Sequence, residues 1–205
     1  NSKVKFYIGD VRDRSSVEEA MTGVDYVFHA AALKQVPACE FFPKQAMQTN
    51  VIGSQNVIES AISCGVSKVV SISTDKAVYP VNALGITKAL MEKVIQSTSR
   101  NLSEGQTVLT LVRYGNVLFS RGSVIPLFMK LIRENKPLTV TEPRMTRFLL
   151  PLKEAINLVG FALENGRQGD IFVRNASSCS VGDLAQALKN IFQSNSKIEI
   201  IGMRH

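Results

Sequence analysis

Residues 71–93 read SISTDKAVYPVNALGITKALMEK. The stretch changes character twice. Val69 to Ile72 is an apolar run of the kind that forms a buried strand, and it stops at Ser73. Thr74, Asp75 and Lys76 follow at once, placing a hydroxyl, an acid and a base at a strand end. Pro80 and Asn82 then break the chain. From Ala83 to Ser99 apolar residues recur at helical spacing, with Asn82 as the N-cap. Strand, polar corner and helix in succession are the repeating parts of a parallel sheet with helical crossovers.

The same alternation runs outward in both directions. VKFYI at 4–8 reads as a strand, and Ser15 with Glu18 as a capping box opening a short helix to Met21. YVFHAAA at 26–32 reads as a buried strand, Gln45 to Cys64 as a long helix closed by Gly65, and VLTLVRY at 108–114 as a further strand. Beyond Asn116 the pattern loosens. Helices are expected over Ser123 to Arg133, Lys153 to Glu164 and Ser180 to Phe192, the last capped by Ser180 with Asp183. Short extended pieces are expected at Leu138 to Thr141, Ile171 to Val173 and Ile198 to Ile201. The expected fold is α/β: a parallel sheet with helices on both faces over 1–116, then a smaller α/β region over 117–205 that returns a strand and a helix to the main sheet.

Composition narrows the function. An apolar fraction of 45% and a charged fraction of 20% are ordinary globular usage. No apolar run approaches the ~20 residues of a membrane helix, so no membrane partner is expected. The net charge of +7 comes from basic residues spread along the chain, with no Trp and no run alternating with aromatics. That argues against nucleic acid and leaves a polyphosphate ligand open. Three scattered cysteines, Cys39, Cys64 and Cys179, favour reduced thiols and a cytoplasmic location, and they and two histidines offer no metal site.

In open α/β sheets, ligands lie beyond the carboxyl ends of the strands. Four polar clusters fall there: Gly9-Asp10-Val11, Ala30-Ala31-Ala32, Ser73 to Lys76, and Arg113-Tyr114-Gly115-Asn116. Each admits two readings. Asp10 is a ligand-binding carboxylate or a turn residue. The three alanines admit a flat ligand or close helix–sheet packing, and His29 before them reads as a satisfied core histidine. Adjacent Asp75 and Lys76 could exchange protons with a ligand, or form a surface ion pair. Lys88, beside the stripe of Leu84, Leu90, Met91, Val94 and Ile95, either reaches a ligand or snorkels to Glu92 at i+4. Arg121, Arg144 and Arg147 suit phosphate or a solvated surface.

Taken together, YIGDVRD (7–13), DYVFHAAALKQVPACEFFP (25–43), TNVIGSQNV (49–57), STDKAVYPVNALGITKALMEK (73–93), RYGNVLFSRGSVIPLF (113–128) and MTRF (145–148) span nearly the whole chain. In combination they resemble the extended short-chain dehydrogenase/reductase superfamily, and within it the UDP-N-acetylglucosamine 4,6-dehydratases that invert C5 in bacterial capsule and polysaccharide biosynthesis. The resemblance implies a Rossmann-like fold, NAD or NADP as cofactor with NADP slightly favoured, a UDP-sugar substrate and a homo-oligomer. Residues 1–116 would be a partial NAD(P)-binding domain and 117–205 mainly a substrate-binding region. Lys76 would be the base at C5, Asp75 the acid for the C6 hydroxyl, and Thr74 a hydrogen-bond partner near the C4 oxygen. Lys88 would bind the nicotinamide ribose. Asp10 and Val11 would flank adenine, with Ala30, Ala31, Ala32 and Tyr114 along the dinucleotide. Lys34, Asn116, Arg121 and Arg147 would meet the UDP-sugar.

The sequence departs from the superfamily pattern twice. Where most members have Tyr-x-x-x-Lys, this chain has Leu84 and Lys88. An apolar residue there fits the C5-inverting branch and leaves the C4 proton to Lys76, Lys88, a water held by Thr74 or, less readily, Tyr79. In addition, none of the 13 glycines forms the Gly-rich loop that holds a pyrophosphate at a helix N-terminus. The expectation is of a fragment, with the first βαβ unit upstream of Asn1 and the chain truncated again at Met203-Arg204-His205. Isothermal titration of residues 1–205 with NAD(P) should then give no micromolar binding.

Overall fold

The computed structural model describes residues 3–202. Asn1 and Met203 to His205, the ends singled out from the sequence, lie outside the described residues. The chain divides into two compact units. Unit 1 runs to Arg113 and takes in Asn157–Arg174; unit 2 comprises Tyr114–Ile156 and the residues from Asn175 on.

Unit 1 is built on a four-stranded sheet in the order β1-β2-β3-β7, formed by β1 (Tyr26–His29), β2 (Lys68–Thr74), β3 (Val108–Tyr114) and β7 (Ile171–Val173). β1 pairs parallel with β2 from Tyr26↔Lys68 to His29↔Ser71, and β3 pairs parallel with β7. Its helices are α1 (Arg14–Met21), α2 (Val36–Phe41), α3 (Pro43–Met47), α4 (Gly53–Ser63) and α5 (Ala83–Arg100). The core joins Val17 and Met21 of α1, Val57, Ile58 and Ala61 of α4, and Met91 and Ile95 of α5 to Val69, Leu109 and Leu111 of the sheet. Full burial of each large aliphatic side chain contributes roughly 1.5–3 kcal/mol. These spacings explain why α4 and α5 lie where they do: i, i+1 and i+4 on α4, and i and i+4 on α5, put the apolar groups on one face.

Unit 2 has β4 (Asn116–Val117), β6 (Thr146–Leu150) and β8 (Ser178–Ser180) in one sheet, with β4 parallel and β8 antiparallel to β6. A second pair joins β5 (Leu138–Val140) to β9 (Ile198–Ile200) in parallel. Helices α6 (Val124–Arg133) and α8 (Val181–Ile191) enclose a core of Ile125, Phe128 and Ile132 with Val181, Leu184, Ala185 and Leu188. Helix α7 (Leu152–Asn165) belongs to unit 1 from Asn157 on. Among the described residues, no helix is long and apolar enough to cross a membrane.

Several sequence expectations are corrected. Residues 4–8 form no strand, and Phe6 and Ile8 are fully open to solvent. A strand exists only through a partner, and the order β1-β2-β3-β7 gives this segment none. For the same reason YVFHAAA is not a buried strand: it pairs only to His29, on the sheet edge, with Tyr26 and Phe28 more than half exposed. The cap of α1 is Asp13, which accepts from Ser15 N, and Glu18 pairs with Arg14 instead of closing a box. The long helix begins at Pro43 and is interrupted by a π-turn, Gln48–Ile52, before α4. Gly65 does end it, in the left-handed conformation at φ 71° that an L side chain adopts only with strain. Leu90 faces solvent, whereas Leu84, Met91 and Ile95 are buried.

Candidate active site

The corner after β2 is a tight 3-10 turn, Asp75–Ala77. Thr74 stays extended and its Oγ1 accepts from Lys76 N at 3.4 Å. The same hydroxyl donates to Asp75 Oδ1 at 2.8 Å, and Lys76 Nζ donates to that oxygen at 3.1 Å. Hydroxyl, acid and base therefore converge on one carboxylate oxygen, with the ion-pair side chains about one-third exposed. The turn is held from behind by α5. Asn82 Oδ1 caps the helix by accepting from Gly85 N, and a Cβ on Gly85 would stand 2.3 Å from Lys76 O. Only glycine lets the helix approach the turn so closely.

Lys88 lies one turn further along α5 and is 5% exposed. It neither snorkels nor pairs with Glu92: Nζ donates to Ile72 O at 2.7 Å and lies 3.1 Å from Met91 Sδ. Burial pulls its pKa down from 10.5 to about 8, against the opposing charge of Glu92. Below pH 8 the folded and unfolded chains both carry the proton, so folding buries a charge. Between about 8 and 10.5 only the unfolded chain keeps it, so stability rises with pH across that window. Lys88→Met should therefore be more stable than the parent at pH 7, by on the order of 1–3 kcal/mol, allowing for the lost bond to Ile72 O. Urea unfolding at pH 7 and pH 10 should show the advantage fading at the higher pH. An equal offset at both would show that Lys88 is not the titrating group.

His29 is the satisfied core histidine that its setting suggests. Its Nε2 lies 2.8 Å from Ser54 Oγ, which donates on to Asn50 O. Burial, and then the Lys88 charge, lower its pKa to about 4. Asn50, fully buried in the π-turn, was not anticipated as a site residue. Its Oδ1 accepts from Leu33 N, and its Nδ2 donates to Leu33 O and Thr87 Oγ1 at 3.1 Å. It ties the loop after β1 to α5 next to Lys88. The available signal was an asparagine, a poor helix former, in the middle of a long helical pattern.

The other expected residues are placed as follows. Ala30 and Ala31 are exposed and Ala32 half-buried just past β1, whose pairing with β2 ends at His29↔Ser71; Lys34 is exposed. Val11 lies on the first turn of α4, where a Cβ on Gly53 would meet its Cγ2 at 2.7 Å, and its carbonyl accepts from Asn56 Nδ2. Asp10 is exposed and forked to Arg12, whose hydrogen bonds hold its pKa down at about 2. Four bonds from Arg12 engage both oxygens, so an adenine amino group would have to displace one.

In unit 2, Asn116 pairs with Leu149 on β6, two residues from Arg147. Asn116 Oδ1 and Ser123 Oγ are buried without a hydrogen-bond partner. Arg147 is half-buried, donating to Thr146 O and lying against Met145 Sδ; Arg121 is exposed. Burial raises the pKa of the half-buried Tyr114. Arg144 pairs with Glu142. A surface cavity of about 380 Å³ on α6, lined by Phe119, Lys130 and Arg133, contains none of the expected residues. Thus Thr74, Asp75, Lys76 and Lys88 come together around the end of β2, while Asp10 with Val11 stands apart at α4.

Leu84 is 5% exposed and packs with Cys39 and Ala46, so it is a core residue and moves no proton. Among the described residues, no cluster of His, Cys, Asp and Glu could hold a metal ion.

The family described as "Polysaccharide biosynthesis protein" matches residues 1–205. A relative from Rickettsia canadensis, named UDP-glucose 4-epimerase, is 60% identical over the whole chain. The chain spans about 60% of the length of the curated relatives it matches. The X-ray structure of Pen from Bacillus thuringiensis superposes with a TM-score of 0.95 at 41% identity, over 99% of this chain and 65% of that one. DesIV, a dTDP-glucose 4,6-dehydratase from Streptomyces venezuelae solved with NAD and TYD bound, gives 0.87 at 22% identity, over 96% of this chain and 66% of that one. At that identity the likeness is one of fold alone, and it makes the sheet of unit 1 Rossmann-like.

Proposed function

Because the chain belongs to the polysaccharide biosynthesis protein family, we propose that the complete protein remodels the hexose of a UDP-sugar with a nicotinamide cofactor, as a 4,6-dehydratase acting on UDP-N-acetylglucosamine with inversion at C5. The observation that carries this reading is the Thr74–Asp75–Lys76 turn, in which acid and base touch at 3.1 Å. Elimination of water needs one group to take a proton and a neighbour to give one.

The residues fit a dinucleotide in part. Lys88, whose amine lies against the Ile72 carbonyl of β2, would bind the nicotinamide ribose, and the small side chains of Ala30 to Ala32 leave the backbone after β1 approachable. The pyrophosphate has no glycine-rich cradle within these 205 residues. When bound, the nicotinamide supplies hydride chemistry, accepting from C4 and returning to C6.

The chain's own residues move the protons. Transfer of one proton across the Lys76–Asp75 contact turns the ion pair into a neutral amine and a carboxylic acid. Lys76 then takes the C5 proton, acidified by the C4 ketone, while Asp75 protonates the departing C6 hydroxyl, which leaves as water. The step regenerates the ion pair that the structure shows. Since Leu84 has no proton to exchange, the C4 hydroxyl proton passes to Lys88 in its neutral form, which predominates only above about pH 8. In unit 2, Asn116, Arg121 and Arg147 bind the UDP group; the unpartnered Asn116 Oδ1 and Ser123 Oγ are consistent with a ligand there.

A second reading, 4-epimerisation of a UDP-hexose, is favoured by the names of relatives 57–60% identical to this chain. It requires hydride removal and return at C4 and leaves Asp75–Lys76 without a task. Incubating the full-length protein with UDP-N-acetylglucosamine, and separately UDP-glucose, in deuterated water separates the two. A 4-keto-6-deoxy product carrying deuterium at C5 supports the dehydratase. A C4 epimer with no deuterium at C5 replaces it with the epimerase.

A further inference from the structure

Glu92 sits on α5 one turn beyond Lys88 and is 2% exposed. Three donors reach its carboxylate. Ser73 Oγ donates at 2.5 Å and Arg113 Nε at 2.8 Å to Oε1, and Arg113 Nη2 donates at 2.5 Å to Oε2. Ser73 immediately precedes the Thr74–Asp75–Lys76 turn, and Arg113 lies at the carboxyl end of β3. One carboxylate thus joins three elements just below the reactive corner.

Packing alone does not explain this choice. An ion pair withdrawn from water adds little stability over apolar side chains of similar volume. What it does add is direction: a guanidinium fork and a short hydroxyl bond fix the angles of the groups they join. We propose that Glu92 is a positioning residue, clamping the ends of β2 and β3 to α5 through Ser73 and Arg113 and so setting the Thr74–Asp75–Lys76 turn relative to the Lys88 amine. This rests on the catalytic reading of that turn given above. Glu92 touches neither substrate nor cofactor and acts through its neighbours.

The groups set against Lys88 are His29 from β1, the Ile72 carbonyl from β2, and Met91 and Glu92 from its own helix; from β3, Arg113 faces Glu92. Of these, the Glu92 carboxylate favours the charged amine. Removing that charge therefore moves the Lys88 titration to lower pH, which loss of packing would not do.

The test uses the full-length protein, as wild type and as Glu92→Gln, which keeps the side-chain volume and removes the charge. Two readouts are taken: the Lys88 titration by ¹⁵N-lysine NMR, and kcat and KM for UDP-N-acetylglucosamine across pH. Glu92→Gln should lower kcat by about 10–10²-fold with KM nearly unchanged, and move the Lys88 titration down by about one pH unit. An unmoved titration together with an unchanged kcat would overturn the proposal. If Glu92→Gln does not fold, Ser73→Ala leaves the Arg113 fork in place: a fall in kcat at constant KM supports the clamp, and an unchanged kcat overturns it. The NMR titration needs no turnover. A protein that makes no 4-keto product thus refutes the dehydratase reading without obscuring the coupling of Glu92 to Lys88.

Discussion

Lys76→Ala in the full-length protein is expected to abolish deuterium exchange at C5 and to lower formation of the 4-keto-6-deoxy product by about 10²–10⁴-fold, the usual contribution of a placed acid or base. Binding of the UDP-sugar should change little, because the UDP contacts are assigned to Asn116, Arg121 and Arg147. Lys76→Arg should fail equally: guanidinium keeps the positive charge beside Asp75 but does not give up its proton. Asp75→Asn should slow product formation and C5 exchange together, since the amide cannot take the proton whose transfer frees the Lys76 amine to act as base. Mass spectrometry of the product in deuterated water reads all three. Exchange at the wild-type rate in Lys76→Ala would remove Lys76 from the mechanism and, with it, the main reason to prefer elimination over epimerisation.

The second large effect is on stability. Arg113→Met strips the guanidinium from a carboxylate that is 2% exposed, leaving Glu92 with the Ser73 hydroxyl alone. Breaking a buried pair from one side typically costs about 3–5 kcal/mol. Because the Arg113 side chain is itself 25% exposed, the lower end of that range is expected. The double variant Arg113→Met, Glu92→Leu should recover most of the loss, since the penalty lies in the unpaired charge. Urea unfolding of the four proteins of the cycle gives the coupling directly. A single variant no less stable than wild type would mean that water reaches Glu92 in place of the arginine.

Much of the fold can be read from single stretches. The run from Lys68 into α5 shows strand, corner, cap and helix in order, and the structure has Asn82 bonded to Gly85 N as a cap should be. Ser180 caps α8 with Asp183 in the same way. Such features are legible because both partners lie within a turn of each other. Where two local signals compete, the reading fails: Asp13 outbids Ser15 for the start of α1 because its carboxylate reaches Ser15 N at 3.0 Å. The short strands β4, β6 and β8 were not anticipated. Each is two to five residues long and exists through its neighbours.

The site divides along the same line. By itself the sequence determined that a hydroxyl, an acid and a base follow a buried strand, that Lys88 lies one turn beyond Leu84, and that no glycine-rich loop lies within these 205 residues. Those are matters of order and period along one segment. Only the tertiary structure decided that Lys88 points inward to the Ile72 carbonyl, that Glu92 answers Arg113 and Ser73 instead of Lys88, that Asn50 holds the loop after β1 to α5, and that residues 4–8 form no strand. The reason is physical. A long charged side chain takes whichever partner the fold brings within reach, and a strand forms only where another is already waiting; in both cases the deciding residues lie tens of positions away along the chain.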